Sequence, residues 1–237
     1  MERDISQSFE KYERNMEHER RFRVHELPEG FLDQYPSIHI EQGYIRTRGS
    51  ENARIRIVDE MMYEFTIKTG QGMSRTEESA EASYPEMKSL WPLTEGRRVE
   101  KTRYFVPHES GGVIEVDVFK GDLTGIIIAE FEAESVRDLN AFSPPNWLAE
   151  ELTESPEWSN QSLAVHGHPE RSHAEVAQEI DLDTALYGLK TYISLAHRAL
   201  ERPVVVGVAG GSASGKTTAV ADVLTNMLGD DAASLSL

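Results

Sequence analysis

The chain has 237 residues, with 24 Lys+Arg against 41 Asp+Glu, a formal net charge of −17, 39% hydrophobic residues and no cysteine. Such a composition describes a globular protein of one large domain or two modest ones and excludes a disulfide framework or any Cys-ligated zinc or iron–sulfur site. Residues 1–15 are charged without an apolar core, and no segment approaches the ~18 apolar residues of a membrane span, so no secretory signal or membrane partner is expected and the expected location is cytoplasmic.

Taken whole, the negative charge speaks against nucleic acid or any other polyanion as a partner. It is unevenly spread, however. Residues 145–183 hold nine acids and one base and residues 104–144 hold eight acids and two bases, whereas residues 44–103 hold ten acids and eleven bases.

From Glu17 to about Glu134 the residues alternate in polarity between short breaks, which predicts a run of antiparallel strands. The breaks are Gly49-Ser50-Glu51-Asn52, Gly70-Gln71-Gly72, residues 108–112 and Gly121-Asp122. From about Ala141 the alternation is lost, Pro144-Pro145 punctuates, and helices follow. Ser172-His173-Ala174-Glu175 has capping-box spacing. Leu186, Leu189, Ile193, Ala196 and Leu200 form one apolar stripe that Arg202-Pro203 ends, and packing on a domain is the expected use of that stripe. Residues 204–208 then read as a buried strand, residues 210–218 as a small-residue loop and residues 218–228 as a helix.

The strands sort their charges by sign. Glu17, Glu19, Arg21 and Arg23 share one face, with Phe22 and Val24 on the other; Arg54 and Arg56 oppose Ile55 and Ile57; Glu64, Thr66 and Lys68 oppose Phe65 and Ile67. Arg97, Lys101 and Arg103 share a face, Glu115 and Asp117 oppose Val116, and Glu130, Glu132 and Glu134 oppose Phe131. An ordinary sheet with one wet face also alternates, but a solubilising face mixes its signs. Closed into a barrel with these faces inward, the sheet would have a basic wall able to hold phosphate oxygens and an acidic wall able to hold hard divalent cations.

These residues carry a resemblance. The sequence is similar to the CYTH, or triphosphate tunnel metalloenzyme, family, whose Glu-x-Glu-x-Lys signature is met by Glu17-His18-Glu19-Arg20-Arg21 with its last residue changed. The similarity continues through Gln42-Gly43-Tyr44, Arg54-Ile55-Arg56, Thr66-Ile67-Lys68, Trp91-Pro92, the run Glu95-Gly96-Arg97-Arg98-Val99-Glu100-Lys101-Thr102-Arg103-Tyr104, Glu115-Val116-Asp117, Glu130-Phe131-Glu132 and the segment around Trp147, covering roughly residues 15–165.

The resemblance implies a β-rich α+β fold, an eight-stranded antiparallel closed tunnel barrel with C-terminal helices, which hydrolyses inorganic triphosphate to diphosphate and phosphate with Mg²⁺ or Mn²⁺. Arg54, Arg56, Lys68, Lys101 and Arg103 would clamp the substrate; Glu17, Glu19, Glu130 and Glu132, with Glu115 and Asp117 less central and Glu64 and Glu77 less still, would hold metal. Arg21 and Tyr44 take the positions of the family's water-activating pair. A guanidinium stays protonated, so Arg21 can orient Tyr44 or a phosphate but cannot act as a base. The alternatives are a nucleoside or thiamine triphosphate hydrolase, a class IV type adenylyl cyclase, or a non-catalytic polyphosphate- or nucleotide-binding sensor.

A second motif lies near the C-terminus. Gly210-Gly211-Ser212-Ala213-Ser214-Gly215-Lys216-Thr217 fits the phosphate-loop pattern, after a Val-rich strand and before a helix. Gly210, Gly215, Lys216 and Thr217 are the nucleotide-binding candidates, and the surroundings resemble the start of the uridine-kinase family. About 36 residues cannot carry a kinase's metal residues, acceptor pocket and lid. The expected organisation is a tunnel domain over residues 1–165, a helical connector over 166–202, and over 203–237 the N-terminal fragment of a P-loop domain belonging to a covalently fused kinase-like partner. No kinase activity is expected of this chain. His166 and His168 are read as an exposed loop pair rather than metal ligands.

Overall fold

A computed structural model describes residues 16–46, 51–69, 74–109, 111–170 and 181–201, with 204 and 228 singly. Eight strands form the body: β1 Met16–Arg23, β2 Ser37–Ile45, β3 Glu51–Val58, β4 Met62–Thr69, β5 Ser74–Ala82, β6 Arg98–Pro107, β7 Val113–Phe119 and β8 Ile127–Ala133. They close into a barrel in the order β1-β5-β4-β3-β2-β6-β7-β8, every pairing antiparallel and β8 returning to β1. The tunnel barrel expected from the sequence is therefore present. The P-loop candidates Gly210, Gly215, Lys216 and Thr217, and the capping box at residues 172–175, lie outside the described residues.

Among the described residues the seam between β1 and β5 runs from Met16 to His18. Beyond it, residues 149–152 take the place of a partner strand: Ala149 N donates to Arg23 O at 2.9 Å, Arg23 N to Glu150 O at 2.9 Å and Leu152 N to Arg21 O at 2.7 Å. A bidentate pair between Arg20 and Glu151, at 3.0 and 2.7 Å, fastens this segment from outside. Backbone groups of Arg21 and Arg23 are thereby satisfied.

Both faces of the sheet are covered, and the apolar one faces outward. Phe22, Val24, Val116, Ala129 and Phe131 pack beneath helix α2, Val136–Ala141, and the chain through Leu148. Ala53, Ile55, Phe65, Ile67 and Ala82 pack beneath α1, Tyr84–Leu90, and the long helix α4, Leu182–Leu200. The buried face of α4 overlaps the stripe read in it only in part: Leu186 and Ala196 are buried and Leu200 packs on the core, but Leu195, which the stripe omits, is fully buried, and the Tyr192 ring meets Phe65 edge-on at 5.5 Å. The helix expected as a connector thus forms part of the barrel's outer layer.

Helix α1 interrupts the zone read as continuous strand. Its signal is local: Ser83 and Glu86 form a capping box and Pro85 sits in the first turn, where its missing N–H costs nothing. Among the described residues no helix is long and apolar enough to cross a membrane.

One end of the tunnel is closed. Tyr44, Val99, Phe119 and Ile128 lie on the lumen side of their strands, and they meet Leu152, Trp158, Leu163 and Ala164 from the segment ending in helix α3, Asn160–His166. His168 follows α3 and is buried, its ring 5.8 Å from that of Trp158, which departs from the exposed loop pair expected of it.

Candidate functional site: a tunnel with two charged walls

Alternation along each strand sends every second side chain inward, and the strand order groups those side chains by sign. On the adjacent strands β4, β3 and β6, separated only by the neutral Gln42 and Tyr44 of β2, lie Lys68, Arg54, Arg56, Lys101 and Arg103. On β7, β8, β1 and β5, which complete the circle, lie Glu115, Asp117, Glu130, Glu132, Glu19 and Glu77. Glu17 occupies β1 opposite Arg75, and its side chain is outside what the structure describes. Arg21 is a cation set in the acidic half.

The walls enclose a cavity of about 170 Å³ lined, from the sequence candidates, by Glu19, Arg21, Tyr44, Arg54, Arg56, Lys68, Glu77, Arg103, Glu115, Glu130 and Glu132. Asn52, Ser159, Asn160 and Gln161 complete the lining. The last three begin helix α3 and reach the lumen because that segment closes the tunnel; Asn52 Nδ2 donates to Gln161 Oε1 at 2.8 Å. No motif marks them, since their role comes from a tertiary contact between distant segments.

Lys101 and Asp117 are not in the lining. Both are fully buried behind it, joined in an ion pair. Asp117 also takes a fork from Arg103, Nε to Oδ1 and Nη2 to Oδ2, each at 2.7 Å. Arg103 further reaches Glu130 Oε2 at 3.0 Å and pairs with Glu115. Glu64 stands 4.0 Å from Arg56 and accepts from Thr66 Oγ1 at 2.8 Å.

The cations differ in how well they are compensated. Arg21 bridges two carboxylates, Nη2 to Glu19 Oε1 at 2.7 Å and Nε to Glu130 Oε1 at 2.9 Å. Burial disfavours its charge, but Glu130 and Glu19 outweigh that and raise its pKa above the ordinary guanidinium value. Lys68 and Arg54 share Glu77, at 2.7 and 3.0 Å. Arg56 has the neutral Gln42 Oε1 at 3.0 Å and the distant Glu64, and burial with the repulsion of Arg54 and Arg103 brings its pKa down to about 10. Arg56, whose described carboxylate partner stands 4.0 Å away, is therefore compensated more weakly than Arg21.

Across the cavity the acidic wall shows the opposite imbalance. Burial raises the carboxyl of Glu132, and Glu115, Glu77 and Glu19 raise it further, against the pull of Lys68. Glu115 is raised by burial and by Glu130 and Asp117, against Arg103. Burial would also raise Glu130, but Arg21, Arg103 and Lys101 hold it well below the usual carboxylate range. Glu19, Glu115, Glu130 and Glu132 thus offer crowded, hard oxygen donors on one side of one cavity, a donor set that suits a divalent cation. Among the described residues no three acidic or imidazole groups already converge on one point, because Glu19, Glu115 and Glu130 are turned toward arginines.

Tyr44 is buried on the basic side of Arg21 and accepts a hydrogen bond from Gln42 Nε2. Burial raises its phenol pKa, against the pull of Arg54 and Arg56.

No family model matches the chain. Curated proteins do. An inorganic triphosphatase of Nitrosomonas europaea is 38% identical over 148 residues, 62% of this chain and 95% of that protein. An inorganic triphosphatase of Acetivibrio thermocellus is 36% identical over 125 residues, 52% of this chain and 77% of that protein. Among solved structures, the crystal structure of an inorganic triphosphatase is 37% identical, with a TM-score of 0.48, covering 63% of this chain and 94% of that one. With more than a third of residues shared over nearly the whole length of the Nitrosomonas protein, the chain belongs to the CYTH triphosphatase family.

Proposed function

We propose that this chain hydrolyses inorganic triphosphate to diphosphate and phosphate with the help of Mg²⁺ or Mn²⁺. The observation that carries the reading is a cavity closed at one end in which the weakly compensated Arg56 stands with Arg54, Lys68 and Arg103 across from crowded carboxylates. A linear polyanion compensates Arg56, and the N-terminal turn of α3 limits how far it can enter.

Arg54, Arg56 and Lys68 hold nonbridging phosphate oxygens and stabilise the charge that develops on the leaving diphosphate. A divalent cation held by Glu19, Glu115, Glu130 and Glu132, with Glu17 as a further ligand, would lower the pKa of a bound water. The water oxygen bonds to a terminal phosphorus, one P–O–P bond breaks, and diphosphate leaves with the electron pair. Arg21 cannot take the water proton, because its carboxylate partners stabilise the guanidinium. Neither can the Tyr44 phenol at neutral pH unless it first loses its own proton, which burial opposes. With Glu115 and Glu132 committed to the cation, the water proton passes to a phosphate oxygen of the departing product. Asp117 is proposed to orient Arg103.

Residues 203–237 are proposed, on the motif containing Gly210, Gly215, Lys216 and Thr217, to begin a uridine-kinase-like P-loop domain fused to the tunnel domain.

The test is incubation of the purified chain with tripolyphosphate, ATP or thiamine triphosphate under Mg²⁺, Mn²⁺ or EDTA, following phosphate, cyclic nucleotide and binding. Phosphate release fastest from tripolyphosphate and abolished by EDTA supports the proposal. Tight binding without product would replace the hydrolase with a sensor. The Glu130→Ala, Glu132→Ala double variant should lose metal-dependent turnover, and surviving activity would overturn the metal assignment.

A further inference from the structure

Lys101 is the interior lysine that never reaches the cavity. Its side chain is 0% exposed, and its ammonium has three neighbours: the Asp117 carboxylate, Asn160 Oδ1 at 3.1 Å, and the Phe119 ring, whose centroid lies 5.5 Å from Nζ. An ammonium has three N–H groups, so these neighbours engage its donor capacity. For a phosphate oxygen to reach Nζ, Asn160 or Asp117 would have to be displaced. Displacing Asp117 would strip Arg103 of the carboxylate that holds its guanidinium by two bonds of 2.7 Å.

The two polar contacts lead to different parts of the cavity lining. Through Asp117, Lys101 supports Arg103, which lies between the basic and acidic walls. Through Asn160 it holds the first residue of α3, whose neighbours Ser159 and Gln161 also line the cavity. Gln161 is tied in turn to Asn52 on β3. We infer that Lys101 is a positioning residue: it sets Arg103 and the closed end of the tunnel in one geometry and does not touch the triphosphate. This rests on the triphosphatase reading and assigns this lysine a different task from Arg54, Arg56 and Lys68.

The test compares Lys101→Met, which keeps length and removes charge, with Asn160→Leu, which removes the acceptor, and with the double variant, all in the full chain. In steady-state hydrolysis of tripolyphosphate each single variant should lose about tenfold in kcat with KM within about twofold of wild type, and the double should be no worse than the poorer single. A KM raised about tenfold or more by Lys101→Met, with Asn160→Leu neutral, would show direct contact with phosphate and overturn the inference, as would losses that multiply in the double variant. Urea midpoints of the same four proteins give a readout independent of activity: effects less than additive support the coupling, and additive effects refute it. That measurement stands even if wild type fails to hydrolyse tripolyphosphate, an outcome that would sink the hydrolase reading alone. If Lys101→Met does not fold, Asn160→Asp should retain kcat where Asn160→Leu loses it, and an unchanged kcat in Asn160→Leu overturns the inference.

Discussion

Replacing Arg56 with Met should make the ligand-free protein more stable and a worse binder of triphosphate. The Arg56 side chain is 16% exposed, and its guanidinium is brought down to about 10 by burial and by Arg54 and Arg103. At ~1.4 kcal/mol for each tenfold change in protonation equilibrium, a charge disfavoured to that extent costs the folded state about 3 kcal/mol. Met removes the charge and keeps most of the volume. It also leaves Gln42 Oε1 without its donor, at about 1 kcal/mol, and loses a 4.0 Å pair with Glu64 of little worth. The balance is a gain of about 2 kcal/mol, which for a chain of this size is roughly 4–8 °C in Tm. Tripolyphosphate loses one charge-assisted contact, so KM should rise about 10- to 100-fold, and the ligand-induced rise in Tm should shrink. Thermal unfolding with and without tripolyphosphate, together with steady-state kinetics, measures both. A variant that melts below wild type and keeps its KM would refute the view that Arg56 is held in wait for an anion.

Arg21→Lys tests the departure from the family signature. One ammonium cannot span Glu19 and Glu130 as the guanidinium does, so folding stability should fall by about 1–3 kcal/mol. Tripolyphosphate turnover should nonetheless rise severalfold, and unchanged or lower turnover would count against the idea that the arginine handicaps the chemistry. At Gly43 a Cβ would stand 2.8 Å from Thr94 Cγ2 and closer still to its Cβ, so Gly43→Ala should lower the urea midpoint by the equivalent of about 1–3 kcal/mol.

Glu86 gives a pH signature. Burial opposes ionisation of its carboxyl, but Arg198 and the Ser83 backbone N–H hold it below the usual range. A lowered folded-state pKa contributes stability that is present above the unfolded value of ~4.3 and is lost as pH falls through the folded one. The partly exposed pair limits the amount to below about 1 kcal/mol. Glu86→Gln should therefore be less stable than wild type at neutral pH and equal to it in acid, as urea midpoints at the two pH values will show.

Alternation was enough to read from the chain which side chains share a face, and charge sorting was enough to suggest a lumen with two walls. Lys68, Arg54 and Arg56 line the cavity opposite Glu19, Glu130 and Glu132 for that reason. Depth was not legible. Lys101 and Asp117 have the same period and chemistry as Arg103 and Glu115, yet they are sealed behind the lining because Phe119 and α3 close the tunnel over them. Nor could alternation reveal Ser159, Asn160 and Gln161, which become lining residues only when a segment distant in sequence packs on β2 and β6. Helix α1 was hidden by its length: seven residues give too few turns for a helical period, and its signal was confined to Ser83, Pro85 and Glu86 at the N-terminal end.

Glu150, Glu151 and Glu170 are spent outside the barrel on Arg20 and Arg23, where they fasten the C-terminal segment to β1. Inside, negative charge is concentrated on four contiguous strands and positive charge on the opposite side, so the field across the cavity is large although the interior sum is small. A whole-chain charge says nothing about such an arrangement, since Coulomb energies depend on separation and local dielectric rather than on totals. Within the same cavity the charged form is disfavoured at Arg56 on one wall and at Glu132 and Glu115 on the other, while Glu130 and Arg103, which pair with each other, stay charged. A bound polyanion relieves the first and a bound dication the second, and each draws the other in. The acidity that argued against a phosphate ligand is thereby half of what a metal-dependent phosphate site requires.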